Sequence, residues 1–127
     1  MSAYDGVHFD PPAPVADATL RCSQSGRRVE NVSMLLDTGS DITLVPRVAV
    51  EQIGVPPLPG RQYELMGFDG SRSFAGVVIL DLILLGKVFR GQYSLTEQTR
   101  GVLGRDVLNH LAIAINGPAL EWSQLVR

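Results

Sequence analysis

Five residues able to do chemistry, Asp37, Thr38, Gly39, Ser40 and Asp41, interrupt an otherwise apolar stretch that reads LLDTGSDITLVP over positions 35 to 46. A carboxylate at the end of a buried strand is costly unless hydrogen-bond donors receive it, and one held in its ionised form can take a proton from water. Gly39, two residues on, lets other backbone approach closely. The plainer alternative is a turn: Asp, Gly and Ser are ordinary turn residues, and an Asp-Thr-Gly triplet arises by chance in roughly a few per cent of chains this long.

The surroundings favour a site. LLDTGSDITLVP resembles the active-site segment of the retropepsin-like (retroviral-type) aspartic proteases, in which two apolar residues precede Asp-Thr/Ser-Gly-Ala/Ser and an apolar strand follows. GVLGRDVLNHL, at 101 to 111, is similar to that family's apolar-apolar-Gly-Arg-Asp/Asn segment and the helix after it. Between them, YELMGFDGSRSFAGVV supplies one hairpin in the place of the family's flap.

The resemblance implies an all-β, mostly antiparallel, closed barrel-like acid protease fold with one or two short helices. It also implies an aspartic endopeptidase. Pepsin-like members carry two Asp-Thr/Ser-Gly motifs in a longer chain; this chain of 127 residues carries one, so a homodimer is expected, with one Asp37 from each subunit at the two-fold axis. Two carboxylates about 3 Å apart cannot both ionise and share a proton, as in the aspartic proteases from which that rule is drawn. Neither metal nor organic cofactor is required.

Further roles come with the resemblance. Thr38 reaches across the dimer axis, and Gly39 offers its carbonyl to substrate. Ser40 donates to the outer oxygen of Asp37, while Asp41 and Arg105 form an ion pair beneath the site. Asp41, Leu44 and Val102 face substrate, although as apolar strand residues Leu44 and Val102 serve equally well as plain core, and Phe68, Asp69, Gly70 and Ser71 are the flap tip on the substrate side. That tip is shorter and more charged than the family's glycine-rich one, so its contacts do not transfer. The C-terminus departs as well: a hairpin in LAIAINGPALEW stands where the family has one short strand, and the dimer interface is expected to differ accordingly.

The elements that must position these residues follow from periodicity and turn chemistry. ADATLRC and VENVSMLL alternate around a Ser-Gly turn and read as a hairpin that delivers the chain into Asp37. Pro46 and RVAVEQIG suit a short helix ended by Gly54. Asp69-Gly70 centres the flap hairpin, VILDLILL and KVFRGQYSL are strands joined through Gly86, and GRDVLNHL is a short helix. Residues 1–14, with Pro11, Pro12 and Pro14, are expected to be an irregular, mobile leader rather than a paired strand, and residues 15–127 the protease domain.

Composition sets outer bounds. An apolar fraction of 45% and a charged fraction of 19% fit one folded domain. A net charge of −2 with no Lys/Arg cluster argues against nucleic acid or an anionic membrane as partner. The longest apolar run, GVVILDLILLG, contains Asp81 and is far short of the roughly 20 residues that span a bilayer. Cys22 is the sole cysteine, expected as a small buried strand residue in a reducing, cytoplasmic setting. His8 and His110 lie far apart without an HExxH pattern, and the spacing of Asp37 and Asp41 lacks the rest of a calcium loop. Two functions therefore compete: an endopeptidase acting on extended peptide, and a non-catalytic dimerisation or peptide-binding module on the same fold.

Overall fold

The computed structural model describes residues 1–66 and 69–125. The first hairpin is β2 (Ala13–Arg21) with β3 (Arg28–Leu36), paired from Val15↔Leu35 to Arg21↔Arg28. Alternation sends Ala16, Ala18 and Leu20 of one strand, and Val32, Met34 and Leu36 of the other, into the core. The turn between them corrects one expectation. Cys22 lies just beyond β2 and is only half-buried; its N–H donates to Arg27 O (2.8 Å) and its carbonyl accepts from Gly26 N–H (2.9 Å), so it is a turn residue rather than a buried strand residue.

Past the loop that carries Asp37 and Asp41, β4 (Leu44–Pro46) runs into α1 (Arg47–Gln52), which Gly54 terminates at φ 70°. The expected flap is β5 (Gln62–Met66) and the start of β6 (Arg72–Leu84), and the flap and wall strands expected separately are this one 13-residue strand. It turns at Leu85 and Gly86, both with positive φ, into β7 (Lys87–Thr96). The second sequence motif gives β8 (Gly101–Leu103) and α2 (Arg105–Leu108), and the terminal hairpin is β9 (Ile113–Asn116) with β10 (Glu121–Gln124).

Six strands form a ring in the order β6-β7-β4-β8-β3-β2, closed by pairing of β2 with β6. Most pairs are antiparallel; β3 with β8 and β4 with β7 are parallel. The ring encloses Leu20, Met34, Val45, Leu80, Leu82 and Leu103, each fully buried. No helix among the described residues is long and apolar enough to cross a membrane.

The N-terminus overturns a second expectation. β1 (Ser2–Asp5) is a paired strand, matched to β2 through Tyr4↔Pro14 and Asp5↔Ala13 and to β10 through Ser2↔Trp122 and Ala3↔Glu121. The prolines begin only at position 11, so the four residues ahead of them keep their backbone donors, and Trp122 Nε1 ties the far end of the chain to Val15 O at 2.8 Å.

One buried charge stands in the wall. Asp81 is fully buried in β6, directly between Arg21 of β2 and Arg90 of β7 in a single cross-strand row. Arg90 Nε donates at 2.7 Å, Arg21 Nε and Nη2 at 3.1 and 3.0 Å, and Ser23 Oγ at 3.0 Å. The Arg90 guanidinium above all, with Arg21 and Ser23, outweighs burial and holds the carboxyl down to about 2.

Candidate active site

Asp37 sits half-buried where β3 leaves the ring, its N–H donating to Leu103 O at 3.0 Å. Its Oδ1 accepts the Gly39 N–H at 2.9 Å, and Ser40 N–H closes the turn onto Asp37 O at 3.1 Å. A Cβ on Gly39 would stand 3.2 Å from that carboxylate oxygen, so the glycine leaves room for the carboxylate to take its donor. Thr38 and Gly39 are exposed at the tip of the loop.

The second motif clamps this loop from behind. Arg105 N–H donates to Ser40 O at 2.9 Å, and the Arg105 guanidinium donates through Nη1 to Thr38 O at 2.6 Å. Deeper in, Thr43 is fully buried: its N–H and hydroxyl both donate to the Asp106 carboxylate, at 3.1 and 2.6 Å, and its hydroxyl oxygen accepts from Gly104 N–H at 3.0 Å. A side chain at Gly104 would collide with the backbone of Ile42. These contacts fix the carboxylate-bearing turn from two directions, which is the rigidity a preorganised acid-base site needs.

Two expected roles are corrected. Asp41 and Arg105 are both exposed and form no ion pair; Arg105, at the first turn of α2, spends its charge on the Thr38 carbonyl instead. The Ser40 hydroxyl donates to Ile42 O at 2.7 Å, not to the outer oxygen of Asp37, because the turn brings that carbonyl within reach first. Thr43 and Asp106, which do brace the site, were not among the expected residues. The signal was present: a threonine on the inward side of ITLV must find a partner for its hydroxyl.

The expected substrate residues are partly brought together. Leu44 and Val102 are direct cross-strand neighbours, both half-buried, on the same face as Leu35. In the hairpin expected to be the flap, pairing ends at Met66↔Arg72. Ahead of Arg72, Asp69 Oδ1 accepts the Ser71 N–H at 2.9 Å and Gly70 has φ 81°; Asp69, Gly70 and Ser71 are exposed. Phe68 lies outside the described residues. No group of three or more His, Cys, Asp or Glu among the described residues is placed to hold a metal ion.

Comparison with known proteins agrees with the fold. The family described as aspartyl protease matches residues 20–107. Among solved structures, the EIAV protease complexed with the inhibitor HBY-793 superposes with a TM-score of 0.56 at 16% identity, covering 84% of this chain and 91% of that one. No curated protein matches. The chain belongs to the aspartyl protease family and has the retropepsin-like fold.

Proposed function

We propose that the chain is an aspartic endopeptidase whose working unit is a homodimer, with Asp37 of each subunit forming the catalytic dyad. The observation that carries this reading is the setting of Asp37: Oδ1 is received by the Gly39 N–H, while Oδ2 has no protein partner among the described residues. That oxygen is free for a water or for a second carboxylate. One chain supplies one such group, and acid-base cleavage of an amide by carboxylates needs two in opposite protonation states.

In the proposed cycle the ionised carboxylate takes a proton from water as the water oxygen attacks the peptide carbonyl carbon. The protonated partner gives its proton to the carbonyl oxygen, producing a gem-diol. A proton then passes to the amide nitrogen, the C–N bond breaks, and acid and amine leave. Gly39 offers its carbonyl to the substrate backbone, and Leu44 and Val102 contact its side chains. The substrate is a peptide in extended form between loop and flap, bound as an added strand. Neither nucleic acid nor membrane is part of the reaction, and the cytoplasm suits the lone Cys22.

The competing reading is a module that dimerises and holds peptide without cutting it. Mixing separates a two-subunit site from a one-subunit site: wild type mixed equally with Asp37→Asn and allowed to exchange retains about one quarter of the activity expected per total dimer if both aspartates are needed, and about one half if each chain acts alone. Specific activity also falls on dilution. Activity independent of concentration from a demonstrated monomer contradicts the proposal.

A further inference from the structure

The wall strand β6 has an outer face that the proposed chemistry leaves unused. Leu80, Leu82 and Leu84 fill the core, so alternation turns Ile79, Asp81 and Ile83 outward. Register builds three cross-strand rows there: Ile79 with Gln92, then Arg21–Asp81–Arg90, then Thr19–Ile83–Val88. Ile79 and Val88 are 44% and 52% exposed, so uncovered apolar surface flanks the charged row on both sides.

The middle row holds two guanidiniums in place. Both Nη2 atoms bond the same oxygen, Asp81 Oδ2, at 3.0 and 3.2 Å, so their separation cannot exceed the sum of those lengths. The two Nε atoms and Ser23 Oγ take up the rest of the carboxylate, while neither Nη1 has a protein partner among the described residues. One carboxylate against two guanidiniums leaves a surplus positive charge with donors to spare. Arg61, just ahead of β5, brings a third cation to the face, its Nη1 on Gln92 Oε1 at 3.3 Å. Arg28, across from Arg21, is balanced by Glu30 at 3.8 Å. Asp106, which lines a cavity with Arg90, is committed to Thr43, and Asp17 is four positions along β2 from Arg21, about 13 Å. Beside the row lies an apolar hollow: Ile79, Val55, Pro56 and Leu58 line a cavity of about 250 Å³ together with Cys22 and Ser23, the residues next to Arg21.

We propose that this outer face is a docking site for a partner protein, which presents an extended segment carrying an Asp or Glu two positions from an aliphatic residue. The acid bridges the spare Nη1 donors of Arg21 and Arg90, and the aliphatic side chain enters the hollow at Ile79. Side chains of an extended segment recur on one face every two residues, about 6.6 Å, which is also the spacing from the Ile79 row to the Asp81 row. Three arginines are fewer than the roughly four to eight basic residues that mark an anionic bilayer surface, and a fixed pair of forks suits a discrete carboxylate. The arginines are far apart in the sequence, and strand register collects them. The site stands whether or not the chain cleaves peptides.

The test pans a library of short unstructured peptides against immobilised Asp37→Asn, so that cleavage does not intervene. Retained peptides carry Asp or Glu two positions from Val, Leu or Ile. By fluorescence anisotropy, changing that acid to its amide weakens binding about three- to tenfold, and the difference shrinks in high salt. Ile79→Glu and Val88→Glu, at exposed positions outside the Asp81 bonds, are each added to Asp37→Asn and shown to keep its melting curve. Each weakens the acidic peptide by a similar factor, whereas Val48→Glu, the same change on α1, does not. On titration with the acidic peptide, the backbone amide signals that shift in NMR spectra are those of β6 and β7 around Asp81 and Arg90. Retained peptides without the acidic pattern, equal affinity for acid and amide, unchanged binding to both face variants, or signals that shift only around Asp37 overturn the site. Binding to phosphatidylserine vesicles that both face variants abolish, with no peptide retained, overturns it in favour of a membrane surface.

Discussion

Replacing Asp81 by Asn tests whether the buried charge in the ring wall stabilises the fold. The carboxyl is held down from 3.8 to about 2 by Arg90 first, with Arg21 and Ser23. Because the folded value is depressed, its stabilisation is fully present above about pH 5 and drains away as pH falls through 4 towards 2. The difference corresponds to about 2 kcal/mol at roughly 1.4 kcal/mol per pH unit. Arg90 is 63% exposed on its side chain, so water screens part of that attraction, and about 1–2 kcal/mol is the better expectation for the ionic part. Leaving two guanidiniums facing a neutral amide adds to the loss, for a total of about 2–3 kcal/mol. In a domain this size that lowers Tm by about 8–12 °C. The assay is thermal unfolding of wild type and Asp81→Asn at pH 7 and at steps from pH 5 to pH 2. The two curves should converge as the pH drops, because wild type loses the charge the variant never had. A Tm change under 2 °C at pH 7, or a gap that stays constant to pH 2, refutes the reasoning.

Changes at four further positions probe the bracing of the Asp37 turn. Thr43→Val strips the Asp106 carboxylate of its hydroxyl donor, leaving the backbone N–H in place, and strips Gly104 N–H of its acceptor, and urea unfolding should show a loss of about 2–3 kcal/mol. Arg105→Ala leaves the Thr38 carbonyl without its charged donor and should cut peptide cleavage at least tenfold, with Arg105→Lys restoring part of it, whereas Asp41→Asn should leave Tm within about 2 °C since no ion pair is lost. Ser40→Ala removes a bond to Ile42 O rather than to Asp37, so the pH profile of cleavage should keep its position while Tm falls by a few degrees; a displaced profile would mean the hydroxyl reaches the dyad after all.

Alternation was enough to read the ring strands β2 and β3, because one period-two pattern decides which side chains face inward; β6 was legible only as two pieces, a flap arm and a continuous apolar run. The loop carrying Asp37 and the segment around Arg105 were legible as motifs, since close-packed turns tolerate few residue types. What the motifs did not convey was partner choice. Arg105 on Thr38 O, and Ser40 on Ile42 O, depend on where a turn places carbonyls to within an ångström, which residue identity does not encode. β1 was hidden for another reason: its partners include Glu121 and Trp122, from the opposite end of the chain, and the nearby prolines dominate any local reading. Asp81 was visible as a charge in an apolar run, but its row with Arg21 and Arg90 emerges only once strand register is known.

The central claim is that the carboxylate of Asp37 performs the chemistry, and one measurement addresses it directly. Wild type and Asp37→Asn, each purified free of contaminating protease and shown to share the same melting curve and assembly state, are compared for cleavage of the peptide library. The amide is nearly isosteric but cannot take a proton from water. The account predicts cleavage by wild type and, for Asp37→Asn, a loss of at least about a thousandfold with peptide binding retained. Equal cleavage by the two proteins, or none by an assembled wild type that still binds peptide, would contradict it.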